Sequence, residues 1–336
     1  MDRYSIADIA KIAGVSKATV SRVINNKSEG VGLETKEKIL DIIHQLNYRP
    51  NSLARSVAIS RSKMIGLIIP DIANLFYPAI VRGVSDYIQQ YDYSLLLYNS
   101  DSNAELERKQ LLSMVDKRVD GVILCSGVSN EAFLKEYRRY GVPLVLIGRI
   151  FDSYLSDGSI TGDNEKGLRM STQYIIGHGN RKILYLEGNL ATSGAMQRMA
   201  GYRRALEAAG IPYDEKLVYS GDFSIQYGYQ AVQRVREAGV KFDAIVSGSD
   251  LIAIGAVKAL REAGLRVWQD VEVIGFDNIE LSKIFTPGLS TVSKPHYAMA
   301  TEASRILLSC VEKEPVPLKH LIVETELVLR ETTRPD

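Results

Sequence analysis

The side chains best placed to do chemistry lie near the start of the chain, within IADIAKIAGVSKATVSRVIN at residues 6–25. Ala10, Gly14, Val20 and Val23 stand there at the offsets that a helix-turn-helix requires. A small residue at 10 lets two helices cross closely, glycine at 14 permits a tight turn, and the two valines turn into a small core. The opposite face of the second helix then presents Lys17, Ala18, Ser21 and Arg22. In a DNA major groove, Lys or Arg can donate to guanine O6 and N7, and an alanine methyl can touch thymine. The chemistry on offer is therefore base recognition. An ordinary helical hairpin in a larger core would share the spacing, but not the basic surroundings.

Groups for catalysis are hard to find. There is no G-x-x-x-x-G-K-[ST] phosphate loop, no G-x-G-x-x-G after the first strand and no G-x-S-x-G elbow. His44, His178, His296 and His320 are scattered without metal-binding spacing, and His178 reads as a cap at the end of a helix. Cys125 and Cys310 are too far apart in sequence for a Cys-x-x-Cys site and too few for a disulfide framework. No catalytic residue, metal site or cofactor is expected, and an enzyme would have to use an unrecognised site.

Charge sharpens the picture. The 336 residues hold 41 Lys plus Arg against 40 Asp plus Glu, a net charge of +1 that as a sum offers no support for a nucleic-acid partner. Residues 1–62 carry ten basic and six acidic side chains, or +4, which leaves 31 and 34, or −3, for the rest. A basic segment joined to an acidic body points to a nucleic-acid-binding module, although a basic solvated surface would give the same count. MDRYSIADIAKIAG at the start is charged and lacks the apolar run of a signal peptide. No stretch approaches the roughly 18 apolar residues of a membrane span. The expected location is the cytoplasm.

Three short amphipathic patterns, at 6–13, 16–25 and 34–46, fill the first fifty residues, with Ser16 placed to cap the second. After Pro50 comes the polar segment NSLARSVAISRS, which reads as a linker that becomes helical only in company. From residue 63 apolar strands alternate with helical stretches: strands at 64–70, 93–99, 120–125 and 143–148, with helices near 78–91, 103–117 and 129–139. A second series has strands at 182–188, 216–221, 242–249 and 271–277, with helices near 165–178, 197–209, 224–238 and 250–263. The fold class predicted is an all-α helix-turn-helix headpiece followed by an α/β body of two doubly wound parallel-sheet subdomains. Ligands of such sheets bind beyond the carboxyl ends of the strands, so two facing units define a cleft.

GVSKATVSRVINN followed by ETKEKILDIIHQLNYRPNSLARSV closely resembles the headpiece and hinge of the LacI/GalR family of bacterial transcription regulators. The resemblance extends along the chain through GLIIPDIANLFY, KRVDGVIL, GHGNRKI, RMAGYRRAL, SDLIAIGAVKAL, VIGFDNIELS and PGLSTVSKP, in the family's order. It implies a homodimeric repressor with a periplasmic-binding-protein-like body, whose chain crosses between subdomains near 162, 291 and 323. The implied domains are the headpiece at 1–50, a hinge at 51–62, an N-terminal subdomain at 63–162 plus 292–322, and a C-terminal subdomain at 163–291 plus 323–336. Only TRPD follows the last strand-like run, LIVETELVLRET, so a dimer without a tetramer-forming heptad tail is expected. Its partners would be a pseudo-palindromic double-stranded DNA operator and a small-molecule effector, with no membrane.

By resemblance, Lys17 and Ala18 choose the operator sequence and Arg22 is a third base reader. Ser16, Thr19, Ser21, Asn25, Tyr48 and Asn51 match phosphate-contacting positions, which orient the protein without specifying sequence. The family's hinge forms a helix in the minor groove, and Ala54 and Arg55 lie on its DNA face. Val57 stands where most members insert a leucine wedge. One methylene fewer removes roughly 0.8 kcal/mol of apolar contact, so the kink is either shallower or supported elsewhere.

In the cleft, the resemblance implies effector contacts from Phe76, Tyr77, Asp163, Arg198, Phe223, Ser249 and Asp277. Aromatic packing at a loop would equally explain Phe76 and Tyr77. Ser249 replaces an asparagine common in relatives, Gly148 an aspartate of sugar binders, and Thr192 an arginine of a purine binder. Arg149 together with Arg198 would place two cations in one cleft and favour a sugar acid or phosphosugar, unless Arg149 pairs with Asp163. A phosphocarrier corepressor protein, as in the carbon-catabolite branch of the family, is the alternative controller. A sugar-binding protein or enzyme with a vestigial headpiece is the remote alternative.

Overall fold

The computed structural model describes residues 4–24, 29–48, 61–125, 131–149, 155–190 and 192–334. The chain divides into two compact units, Met1–Ser62 and Lys63–Asp336. In the first, helices α1 (Ile6–Ala13), α2 (Lys17–Ile24) and α3 (Leu33–Gln45) enclose Ile9, Ala10, Ala13, Val20, Val23, Ile39 and Ile42. A reciprocal capping box starts α1: the Ser5 hydroxyl accepts the Asp8 N–H and the Asp8 carboxylate accepts the Ser5 N–H. Gly14 ends α1 at φ 74° with open space around its α-carbon, so backbone conformation and not crowding demands glycine here. The Ser16 hydroxyl accepts the Thr19 N–H at 3.1 Å and so opens α2 as its cap.

The second unit contains two six-stranded sheets. The first has the order β2-β1-β3-β4-β5-β11, all parallel: β1 (Met64–Ile69), β2 (Ser94–Asn99), β3 (Gly121–Cys125), β4 (Leu144–Ile147), β5 (Gly158–Gly162) and β11 (His320–Val323). Alternation along its strands fills two cores. Ile65, Leu67, Ile69, Ile123 and Val145 face α4 (Tyr77–Gln89) and α12 (His296–Glu312). Ile68, Val122, Leu124, Leu144 and Leu146 face α5 (Ala104–Asp116) and α6 (Glu131–Tyr137).

The second sheet has the order β7-β6-β8-β9-β10-β12: β6 (Ile183–Glu187), β7 (Val218–Ser220), β8 (Ala244–Ser247), β9 (Glu272–Asp277), β10 (Ser290–Ser293) and β12 (Glu326–Val328), the last antiparallel. Its faces are covered by α7 (Asn164–Gly177) with α8 (Ser193–Ala208), and by α9 (Ile225–Glu237) with α10 (Asp250–Glu262). Among the described residues no helix is long and apolar enough to cross a membrane.

Three connections join the sheets, and two lie slightly later than the expected 291 and 323. Val292 and Ser293 still pair with Phe276 and Asp277 on β9, and Val323 still pairs with Gly162 on β5. The run LIVETELVLRET is not one strand: it supplies β11 to the first sheet and β12 to the second. Strands β5 and β10, rich in Gly, Ser and Thr, carry no apolar run, yet both are almost entirely buried.

Candidate nucleic-acid interface and ligand cleft

On α2 the core-facing valines leave Lys17, Ala18 and Arg22 exposed, with Ser21 half-buried beside them. These four positions fall on one helical face and α2 contains no acidic residue, so the face is cationic. The Ser16 and Thr19 hydroxyls lie 2.9 Å apart at the end of this helix. Tyr48 is half-buried against the headpiece core, which raises its phenol pKa, and its N–H donates to Ile43 O at 2.9 Å. Asn25, Asn51, Ala54, Arg55 and Val57 lie outside the described residues.

The second constellation forms at the carboxyl ends of the strands of the body. Asp277 ends β9 with φ 111°, a conformation that a non-glycine residue adopts only when its surroundings hold it there. Its carboxylate binds the Lys294 ammonium at 2.7 Å, and both side chains are nearly buried. The Lys294 Nζ also lies over two aromatic rings, 5.0 Å from the centroid of Phe76 and 4.8 Å from that of Phe276. Gly162 makes room for the stem of this lysine: a β-carbon there would come within 2.5 Å of Lys294 Cδ. Burial lowers the Lys294 pKa, and Asp277 opposes that shift.

Arg198, on α8, is the second buried cation. Its guanidinium lies 5.2 Å from the Phe276 ring and 5.5 Å from Phe223, and its Nη1 donates to Asn164 Oδ1 at 3.4 Å. Phe223 reaches this position because Gly188 has no β-carbon, which would stand 2.0 Å from the ring. Glu187 closes β6 beneath the guanidinium; burial pushes its pKa up to about 7 against the pull of Arg198 and the Ser220 hydroxyl. His296, packed edge-on against Phe76 at 4.5 Å, is pushed down to about 4 by burial and by Lys294, so it is neutral at neutral pH.

Phe76, Arg198, Phe223 and Asp277, all anticipated from sequence, thus converge in one neighbourhood. Tyr77 packs edge-on against Phe76 at 4.9 Å and is itself buried. Two further anticipated residues cap helices. Asp163 accepts the Lys166 N–H at 2.9 Å, and Ser249, buried, accepts the Ile252 N–H at 3.3 Å. Burial lowers the pKa of Arg149, and Glu107 on α5 and Glu131 on α6 oppose that shift. Lys294 lies close enough to Arg198 for the guanidinium to weaken its grip on a proton.

Lys294, Glu187, Phe276, His296 and Asn164 escaped the sequence reading. A charged residue ending or directly following a buried strand was the available signal for Glu187 and Lys294. His178 behaves as expected: it ends α7 and its Nδ1 lies 2.8 Å from Glu272 Oε1.

The chain matches two family models, "bacterial regulatory proteins, lacI family" over residues 5–51 and "periplasmic binding proteins and sugar binding domain of LacI family" over residues 62–328. It is 40% identical to the HTH-type transcriptional regulator RegA of Clostridium saccharobutylicum, covering 98% of this chain and 99% of that protein. Catabolite control protein A of Priestia megaterium is 36% identical, with 98% and 99% covered. Among solved structures, the Lac repressor dimer bound to operator and the anti-inducer ONPF superposes with a TM-score of 0.87 at 26% identity, over 99% of each chain. The cationic helix-turn-helix, the paired six-stranded sheets and matches that together span almost the whole sequence have one meaning: the chain belongs to the LacI family of bacterial regulatory proteins.

Proposed function

We propose that the protein is a sequence-specific transcriptional repressor that works as a homodimer and is controlled by a small hydroxylated effector held in the cleft of its body. The observation that carries this reading is the face of α2, where Lys17, Ala18 and Arg22 are exposed on a helix whose valines are fully engaged in the core. In this reading Lys17, Ala18, Ser21 and Arg22 meet base edges, while Ser16, Thr19 and Tyr48 position the helix on phosphates. Two copies related by a two-fold axis read the two halves of a pseudo-palindrome. The curated relatives named above are regulators, which favours regulation over catalysis.

Control follows from linkage. Effector contacts come from residues attached to both sheets: Phe76 precedes α4 of the first lobe, whereas Arg198, Phe223 and Asp277 belong to the second. A ligand touching both lobes stabilises one disposition of the pair, and any operator preference for that disposition becomes a coupling free energy, about 1–3 kcal/mol or a 5- to 150-fold change in affinity. The test begins with selection of binding sites from random duplex DNA by the full chain. A palindromic consensus is expected, and removal of residues 1–62 should abolish binding. Retention of specific binding by that truncated chain would refute the reading.

A further inference from the structure

The charges of the cleft do not cancel. Arg198 and Lys294 are 6% and 9% exposed, and the one carboxylate paired directly with either is Asp277 on Lys294, among the described residues. Asp250 is also close, but its carboxylate is fully buried, takes a hydrogen bond from Thr291 Oγ1 at 2.5 Å and another from the Ile279 N–H at 2.8 Å, and is pushed up to about 8 by burial and by Asp277. Glu187, raised to about 7, is only partly ionised at neutral pH. Two buried cations therefore face Asp277 and a Glu187 carboxyl that burial keeps only partly ionised, so the local balance leans positive.

Hydrogen bonding is unbalanced at the same place. Glu187 Oε1 and His296 Nε2 are buried and have no hydrogen-bond partner among the described residues, while Tyr185 interacts with the Arg198 guanidinium. Buried polar groups are normally satisfied, and unpaired ones concentrated around two cations mark a site built for a ligand's own oxygens. Lys294 has three donors, of which the contact with Asp277 engages one. The guanidinium offers a planar fork suited to a carboxylate.

On the reading of the cleft as the effector site, we propose that its ligand is a polyhydroxylated monocarboxylate, a sugar acid, whose carboxylate lies between Arg198 and Lys294 and whose hydroxyls meet Glu187, His296 and Asp277. A phosphate ester, with a charge of about −1.5 to −2, would overshoot the balance and press against Asp277 and Glu187. Lys294 supplies the charge selectivity. Its aromatic sandwich and the groove left by Gly162 hold a cation at a place where burial alone would disfavour one.

Isothermal titration of the full chain at neutral pH tests this with gluconate, glucuronate and galacturonate beside glucose, galactose and glucose 6-phosphate. At least one acid should bind about tenfold or more tightly than its neutral parent, and the advantage should shrink as salt rises. Lys294→Gln, which keeps a donor but not the charge, should remove that advantage, so that the ratio of acid to neutral-sugar affinity falls about tenfold whatever happens to overall affinity. If this variant does not melt cooperatively, the salt dependence of the wild-type protein decides. A preference for neutral sugars, tightest binding of the phosphate ester, or binding of none of the acids overturns the proposal. Failure of the regulator reading shows separately, as the absence of any selected operator.

Discussion

The headpiece and the cleft each depend on a pair of cations, held in opposite ways. Lys17 and Arg22 stand exposed on one short helix, where water carries the cost of their charge. Arg198 and Lys294 come from segments almost a hundred residues apart and are buried among Phe76, Phe223 and Phe276, where the protein must hold each charge in place. An exposed cation recognises through its position on a surface, and its loss changes affinity without changing the fold. A buried cation is part of the fold as well, so its loss is felt twice.

The sharpest way to break that contrast is to remove one partner of the buried pair. Asp277→Asn leaves Lys294 buried without its carboxylate and should destabilise the body by about 3–5 kcal/mol. Lys17→Met, removing a charge from the headpiece, should stay within about 0.5 kcal/mol. Thermal or denaturant unfolding of both variants checks this, and similar losses would erase the distinction.

A second variant asks whether the two units stand alone. Ile9 is fully buried in the small headpiece core, so Ile9→Ala should cost that unit about 2–5 kcal/mol. Operator binding should collapse while the melting of the body and its ligand affinity hold. A lowered melting temperature for the body would show coupling between the units. Smaller again is Arg22→Ala, expected to weaken the selected operator by about 1–3 kcal/mol, roughly 5- to 150-fold, and to relax preference at the contacted base pair. Equal weakening on all sequences would demote Arg22 to a phosphate contact.

The same contrast explains what the sequence revealed. The recognition face was legible because everything that makes it, from Ala10 to Val23, lies within two short helices and the glycine between them. Apolar strands such as Met64–Ile69 and Gly121–Cys125 were legible because burial on both faces writes a continuous hydrophobic run. Strands β5 and β10 were not, since Gly158–Gly162 and Ser290–Ser293 are buried through small and hydroxyl side chains. The long helix α12 has apolar residues at 299, 300, 303, 306 and 307, a clear helical period lying between PGLSTVSKP and LIVETELVLRET. In the cleft, residue types gave Arg198 and Asp277 but not Lys294. Lys294 reaches Asp277 because β9 and β10 lie side by side, a neighbourhood that the order of residues does not display.

The smallest effect concerns Glu187 and separates the two kinds of charge by pH. Burial raises this carboxyl from an ordinary 4.5 to about 7, so between those values the folded protein binds more protons than the unfolded chain, and stability falls as pH rises through the window. Asp250, raised from 3.8 to about 8, acts in the same sense. His296 works against both: lowered from 6.5 to about 4, it is protonated more readily in the unfolded chain and adds stability as pH rises between these values. The overall profile of the wild-type protein is thus a sum of opposing slopes and identifies no single group. Glu187→Gln isolates one of them, because glutamine imitates the protonated acid at every pH. The variant's melting temperature relative to wild type should rise from about pH 5 to about pH 8. A constant difference would mean that Arg198 keeps Glu187 ionised throughout. The cleft would then carry one negative charge more, and its cations would be as evenly matched as the headpiece face is not.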